Sequence, residues 1–134
     1  MRGRRIACTV AVTTLLLVAA GCARRLPAFP KLARATQIQV RDSEGRVTTV
    51  TDTQRVADIV RFFDDRTTAW VVPWYGTPVG KVRFAIYDGQ QLKGSFGVGR
   101  GFLDCQRQGS FGVRWASDRE VQEVLELAGV PKRI

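Results

Sequence analysis

The sequence predicts an α+β domain, an antiparallel sheet with two amphipathic helices on one face in the order ββα-ββββα. Three observations lead there. Segments around 36–51 and 81–116 alternate apolar and polar residues with the period of two of half-buried strands. Two stretches, near 52–66 and 117–128, carry apolar residues at helical spacing behind capping signals. Turn chemistry at Asp42-Ser43-Glu44-Gly45, Asp88-Gly89 and Gln108-Gly109 separates strands closely enough for hairpins.

The folded part is expected to begin near Thr36. Ile38 and Val40 alternate with Gln37, Gln39 and Arg41 as a first strand, and Arg46 to Thr51 returns as a second. Thr51 with Gln54 fits a capping box, with Asp52 as a second cap candidate. Val56, Ile59, Val60 and Phe63 then form the stripe of a helix ending by Arg66. The stretch from Trp70 to Val79 holds Pro73, Gly76 and Pro78 and reads as an irregular connection.

Val82, Phe84 and Ile86, followed by Leu92, Phe96 and Val98, give the next hairpin. Keeping every apolar residue inward predicts a three-residue loop, Tyr87-Asp88-Gly89, with Phe84 opposite Leu92 and Gly89 left-handed. Strands around Phe102–Arg107 and Ser110–Ala116 follow, with Phe111, Val113 and Trp115 expected inward. Ser117 and Glu120 form a capping box for a helix striped by Val121, Val124, Leu125 and Ala128, which Gly129 and Pro131 end.

With 134 residues, 45% of them apolar, the chain suits one domain. It contains no histidine and no asparagine, which excludes imidazole acid–base chemistry, Ser-His-Asp and Cys-His nucleophiles and imidazole metal sites. No cofactor or metal site is predicted. The net charge of +9 invites a nucleic-acid reading, but its distribution argues against one. Arg2, Arg4 and Arg5 lie at the extreme N-terminus, and Arg24, Arg25, Lys31 and Arg34 cluster just after it. Residues 36–134 hold fourteen basic and twelve acidic residues, so the domain itself is nearly neutral.

The basic start is followed by an uncharged run from Ile6 to Gly21, too short for a comfortable membrane-spanning helix. Its end, Ala19-Ala20-Gly21-Cys22, resembles the lipobox of bacterial lipoproteins, with Ala19 where leucine is commonest. The resemblance implies a signal peptide over residues 1–21, diacylglycerol on Cys22 and an acylated amine. Two or more acyl chains, at about 0.8 kcal/mol per buried methylene, hold a protein stably on a bilayer. Ala23 after the cysteine, rather than aspartate, implies a cell-envelope protein facing the periplasm from the outer membrane more than the inner.

Residues 22–35, with two prolines, four basic residues and no acid, then read as a tether near acidic headgroups, leaving 36–134 as the domain. Cys8 falls in the signal and Cys22 carries lipid, which leaves Cys105 as a small buried apolar residue with no disulfide partner.

Several stretches imitate active sites. Gly94-Ser95-Phe96-Gly97-Val98-Gly99-Arg100-Gly101 lacks dinucleotide-loop spacing and leads into a strand, so bulges and hairpins account for its glycines. Asp64-Asp65 closes a helix. The four serines fall in turns, strands and a cap without a Ser-Lys context. Catalysis is unsupported.

Trp70, Trp74 and Tyr75, pinned by prolines, are the candidate protein-contact surface, with Arg100, Arg107 and Arg114 as a neighbouring basic face. Arg66, Trp70, Pro73 and Trp74 resemble the R-x-x-x-W-x-x-P-W stretch of small proteobacterial lipoproteins, which implies no particular activity. The expected function is a lipid-anchored binding or accessory domain that contacts another envelope protein. The alternative is an inhibitor or immunity-type protein against an envelope-attacking enzyme, and a small enzyme ranks below both.

Overall fold

The computed structural model describes residues 24–32, 34–73, 76, 78–107 and 109–131. Among them are an eight-stranded antiparallel sheet and two helices, an α+β fold dominated by sheet. In chain order the elements are β1 (Arg24–Arg25), β2 (Gln37–Arg41), β3 (Val47–Val50), α1 (Thr53–Asp64), β4 (Val71–Val72), β5 (Val82–Asp88), β6 (Gln91–Gly99), β7 (Phe102–Arg107), β8 (Ser110–Trp115) and α2 (Asp118–Ala128). Across the sheet they run β1-β4-β8-β7-β6-β5-β2-β3. The meander β5 to β8 forms its centre, and β2–β3 and β1–β4 extend it on either side.

Ladder register fixes which residues share a face, because side chains of paired residues point the same way. Val40 pairs Phe84, Phe84 pairs Phe96, and Phe96 pairs Cys105. Beside this row, Val82 pairs Val98 and Val98 pairs Leu103. These residues join Val56, Ile59, Phe62 and Phe63 of α1 and Val121, Val124, Leu125 and Ala128 of α2 in one core cluster. Phe63 lies at its centre, stacked on Phe96 at 4.0 Å and edge-on to Phe84 at 5.5 Å.

Both helices start as their sequences dictate. Asp52, rather than Thr51, caps α1, its carboxylate accepting the Arg55 N–H at 2.8 Å. Ser117 and Glu120 complete a reciprocal capping box on α2, and left-handed Gly129 closes it. The Asp42–Gly45 turn is held by the Asp42 carboxylate, which accepts the N–H groups of Glu44 and Arg46 and the Arg46 guanidinium.

Three expectations need correction. The β5–β6 turn lies at Gly89-Gln90, and Ile86 pairs Gly94 whereas Tyr87 pairs Leu92. Lys93 is the extra residue of a bulge. Phe84 therefore faces Phe96, and the bulge turns Leu92 out, where it is 54% exposed. Gly89 is left-handed as expected, with φ of 58°.

The second correction concerns β8. Leu103 pairs Arg114 and Cys105 pairs Gly112, so Arg114 and Gly112 face the core. Phe111, Val113 and Trp115 point to the opposite face, and Trp115 is 62% exposed. The alternation was readable but its sense was not, since the core over β8 comes from outside the strand. Leu26 and Trp70 pack over Gly112, where a side chain would strike Leu26.

The third is the supposed tether. Arg24 and Arg25 pair with Val72 and Val71. Leu26 and Phe29 donate their N–H groups to the carbonyls of Trp70 and Thr67, and Leu32 donates to the Asp64 carboxylate at 2.7 Å. Leu32 belongs to the core, with Leu26, Phe29 and Ala35 packed against it. Residues 24–35 thus include a strap bound alongside α1, and the folded part extends at least to Arg24.

Candidate functional site

Of the expected contact residues, Trp70 is described and is a core residue, 1% exposed. Its indole meets Phe29 edge-on at 6.0 Å and Phe96 at 6.4 Å, and its Nε1–H donates to the Arg66 carbonyl at 2.6 Å. Trp70 is therefore not part of a contact surface. Burial takes a large ring whenever its one polar atom can be satisfied locally, and Arg66 supplies the acceptor. Trp74, Tyr75 and Cys22 lie outside the described residues.

Arg66 has a second role. Its guanidinium donates to Glu120 Oε1 at 3.0 Å and to the Phe62 carbonyl at 2.7 Å, lies 3.7 Å over the Phe62 ring and pairs Glu123 at 3.7 Å. Arg114 reaches the same Glu120 oxygen from β8 at 3.2 Å. One carboxylate thus ties the end of α1, the start of α2 and the sheet. The Ser117 N–H, followed by the two guanidinium donors, holds the Glu120 carboxyl down at about 2.

A depressed folded-state pKa contributes stability above the unfolded value near 4.5, and that contribution is lost as pH falls toward 2. We expect urea unfolding of the wild type to weaken by about 2 kcal/mol between pH 5 and pH 2 through this group. Glu120→Gln should be less stable at pH 7 and show a shallower loss over that window.

The three arginines offered as a basic face are dispersed. Arg100 sits in the β6–β7 turn, Arg114 is taken by Glu120, and Arg107 is buried on the core side. The Arg107 guanidinium lies 5.4 Å over the Phe29 ring, its Nε has no hydrogen-bond partner among the described residues, and its ionised form is weakened by burial. Gly94 leaves room for its stem.

Cys105 is buried, and burial pushes its thiol up to about 12, so a reactive thiolate is disfavoured. Asp64 is not a bare helix end, since it anchors the strap through Leu32. Among the described residues, no group of three His, Cys, Asp or Glu side chains could hold a metal ion.

One ionic centre escaped sequence reasoning. Asp104 alternates with Leu103 and Cys105, so it points away from the core, yet its exposure is 0%. It accepts the Gly80 N–H at 2.6 Å and the Arg83 guanidinium at 2.9 Å, and Arg83 continues to Ser95 Oγ at 3.1 Å. Gly97 lies beneath it, where a Cβ would fall on the carboxylate. This close approach, rather than a bulge or a phosphate loop, is the reason for that glycine.

No family model, curated protein or solved structure matches the chain. Function is therefore argued from its own surface. Two features there are unusual. On the face opposite the core, Trp115 stands exposed in register with Phe102, and Val79 is 64% exposed in the connection before β5. Alongside α1, the strap and the helix flank an open groove of about 560 Å³. Residue parity on β8 was the signal that could have found Trp115, had Leu103 and Cys105 been used to set its sense.

Proposed function

We propose that this is a lipid-anchored protein of the bacterial cell envelope, acylated on Cys22 and facing the periplasm, outer membrane more than inner. Its small α+β domain acts as a binding or accessory module for another envelope protein. The observation that carries this reading is the N-terminal pattern. Arg2, Arg4 and Arg5 precede a sixteen-residue uncharged run that closes on Ala19-Ala20-Gly21-Cys22.

Its partner-facing surface is the face bearing Trp115 rather than the buried Trp70, since exposed indoles beside apolar neighbours are enriched as anchors at protein interfaces. We also infer the finer architecture, two layers with both helices on one face and a ββα-ββββα frame to which β1 and β4 are added. The single core cluster and the Arg66–Glu120 bridge between the helices support it.

The test of the anchor is mass and membrane retention. Wild-type protein is expected to lose residues 1–21 and gain acyl mass on Cys22, whereas Cys22→Ser or globomycin leaves the longer precursor. Unaltered processing in the variant would overturn the reading. For the partner, crosslinking from intact membranes should recover a specific envelope protein with the wild type, and Trp115→Ala should lose it.

A further inference from the structure

We propose that residues 26–32 of the strap form a releasable latch, in which Phe29 and Leu32 occupy two opposite charges, Arg107 and Asp64, that pair with one another once the strap lifts. The proposal stands on the local geometry and does not depend on the lipid-anchor reading.

The closed state leaves Arg107 short of partners. The residue is 7% exposed, and its Nε has no hydrogen-bond partner among the described residues. No described carboxylate lies within ion-pair distance of its guanidinium. Its stem runs inward across Gly94, where a Cβ would come within 3.0 Å of Cγ. The group it does meet belongs to the strap, the Phe29 ring at 5.4 Å. A ring face attracts a cation but accepts no conventional hydrogen bond, so it replaces only part of the lost hydration.

The acid that could serve this cation is occupied by the same strap. Asp64, half-buried at the end of α1, accepts the Leu32 N–H at 2.7 Å. Across the remaining gap its charge favours the ionised guanidinium of Arg107. The strap thus touches both members of an ion pair that is not made, Phe29 on the cation and Leu32 on the anion.

These contacts define two arrangements that exclude each other. With the strap down, the N–H groups of Leu26, Phe29 and Leu32 donate to the Trp70 carbonyl, the Thr67 carbonyl and the Asp64 carboxylate. With the strap up, Asp64 and Arg107 are both released and the guanidinium donates to the carboxylate. That charge-assisted pair offsets part of the lost packing and makes the strap a two-state element. Its release uncovers the Trp70 ring, which Phe29 meets edge-on at 6.0 Å, and the backbone at Gly112 beneath Leu26.

Native-state amide exchange on the full-length chain in detergent micelles reads the latch at the Leu26, Phe29 and Leu32 N–H groups. The buried Ile59 and Phe84 report global unfolding. In the wild type, the strap amides should exchange at least tenfold faster than those of Ile59 and Phe84. Arg107→Met keeps the length of the stem and deletes the charge. It should slow strap exchange about tenfold, because the closed state no longer buries a bare cation and the open state gains no pair. Arg107→Gln should act in the same direction and serves if the methionine variant does not fold.

In an Asp64→Asn background no ion pair can form, and Arg107→Met should slow the strap threefold or less. Strap exchange that quickens or stays the same in the Arg107 variants makes Arg107 a support for Phe29 and overturns the proposal. Slowing that is undiminished in Asp64→Asn assigns the effect to burial alone and also overturns it. So does a wild-type strap that exchanges only together with Ile59 and Phe84, since it then has no opening of its own.

Discussion

Arg83→Leu is expected to cost about 3–5 kcal/mol of folding free energy, a large share of the stability of a domain this size. The substitution removes the only guanidinium paired with Asp104 among the described residues and leaves a fully buried carboxylate without its counter-charge. Asp104→Asn should cost less, about 1–3 kcal/mol, since the amide oxygen can still accept the Gly80 N–H and the Arg83 charge is partly hydrated. Urea unfolding of the two variants and their double mutant measures the difference. Equal and small losses would mean that water reaches the carboxylate.

This ion pair holds the connection before β5 against the sheet. Gly80 lies so close to the β6 backbone that a side chain there would strike Gly97 and Val98. The Asp104 carboxylate satisfies the N–H that this approach buries. Loss of the pair should therefore free residues 78–80 before the rest of the fold, visible as early amide exchange at Gly80.

Trp70→Ala should destabilise by about 3–5 kcal/mol, the range for deleting a large ring from a core. Trp70→Phe should cost about 1–2 kcal/mol, since it keeps ring contact with Phe29 and Phe96 but loses the bond to the Arg66 carbonyl. A contact residue on the surface would behave differently, with binding lost and stability kept. Thermal unfolding together with the crosslinking assay separates the two outcomes. The same pair of measurements on Trp115→Ala should show stability within about 0.5 kcal/mol of wild type.

Much of the architecture was legible because both helices and most strands announce themselves by period and by caps. The Ser117–Glu120 box and the Phe102–Arg107 strand lie where local chemistry put them. What stayed hidden depended on other segments. The sense of β8 is set by Trp70 and Leu26 packing over Gly112, neither of which is in the strand. The burial of Asp104 is set by Gly80, twenty-four positions away.

The strap follows neither the period of 2 of a strand nor the 3.6 of a helix. Leu26, Phe29, Leu32 and Ala35 recur every third residue, the repeat of an extended polyproline-like chain, with Pro27 and Pro30 between them. Four basic residues and two prolines pointed to a linker, yet every third side chain was apolar. That rhythm was the available signal. The groove was beyond reach, since its two walls belong to segments about twenty residues apart that only the fold brings together.

The strap also sets an order of events as the chain is made. Its β1 residues are held by β4, which is itself held through Val113 of β8, and Leu26 lies over Gly112. A ribosome delivers Arg24 long before Val113 exists. Leu26, among the earliest described residues, must wait for its place over Gly112 until the last strand has emerged. Closure of this edge of the fold therefore waits for β8, and a chain stalled before it would leave Leu26 open to chaperones and proteases.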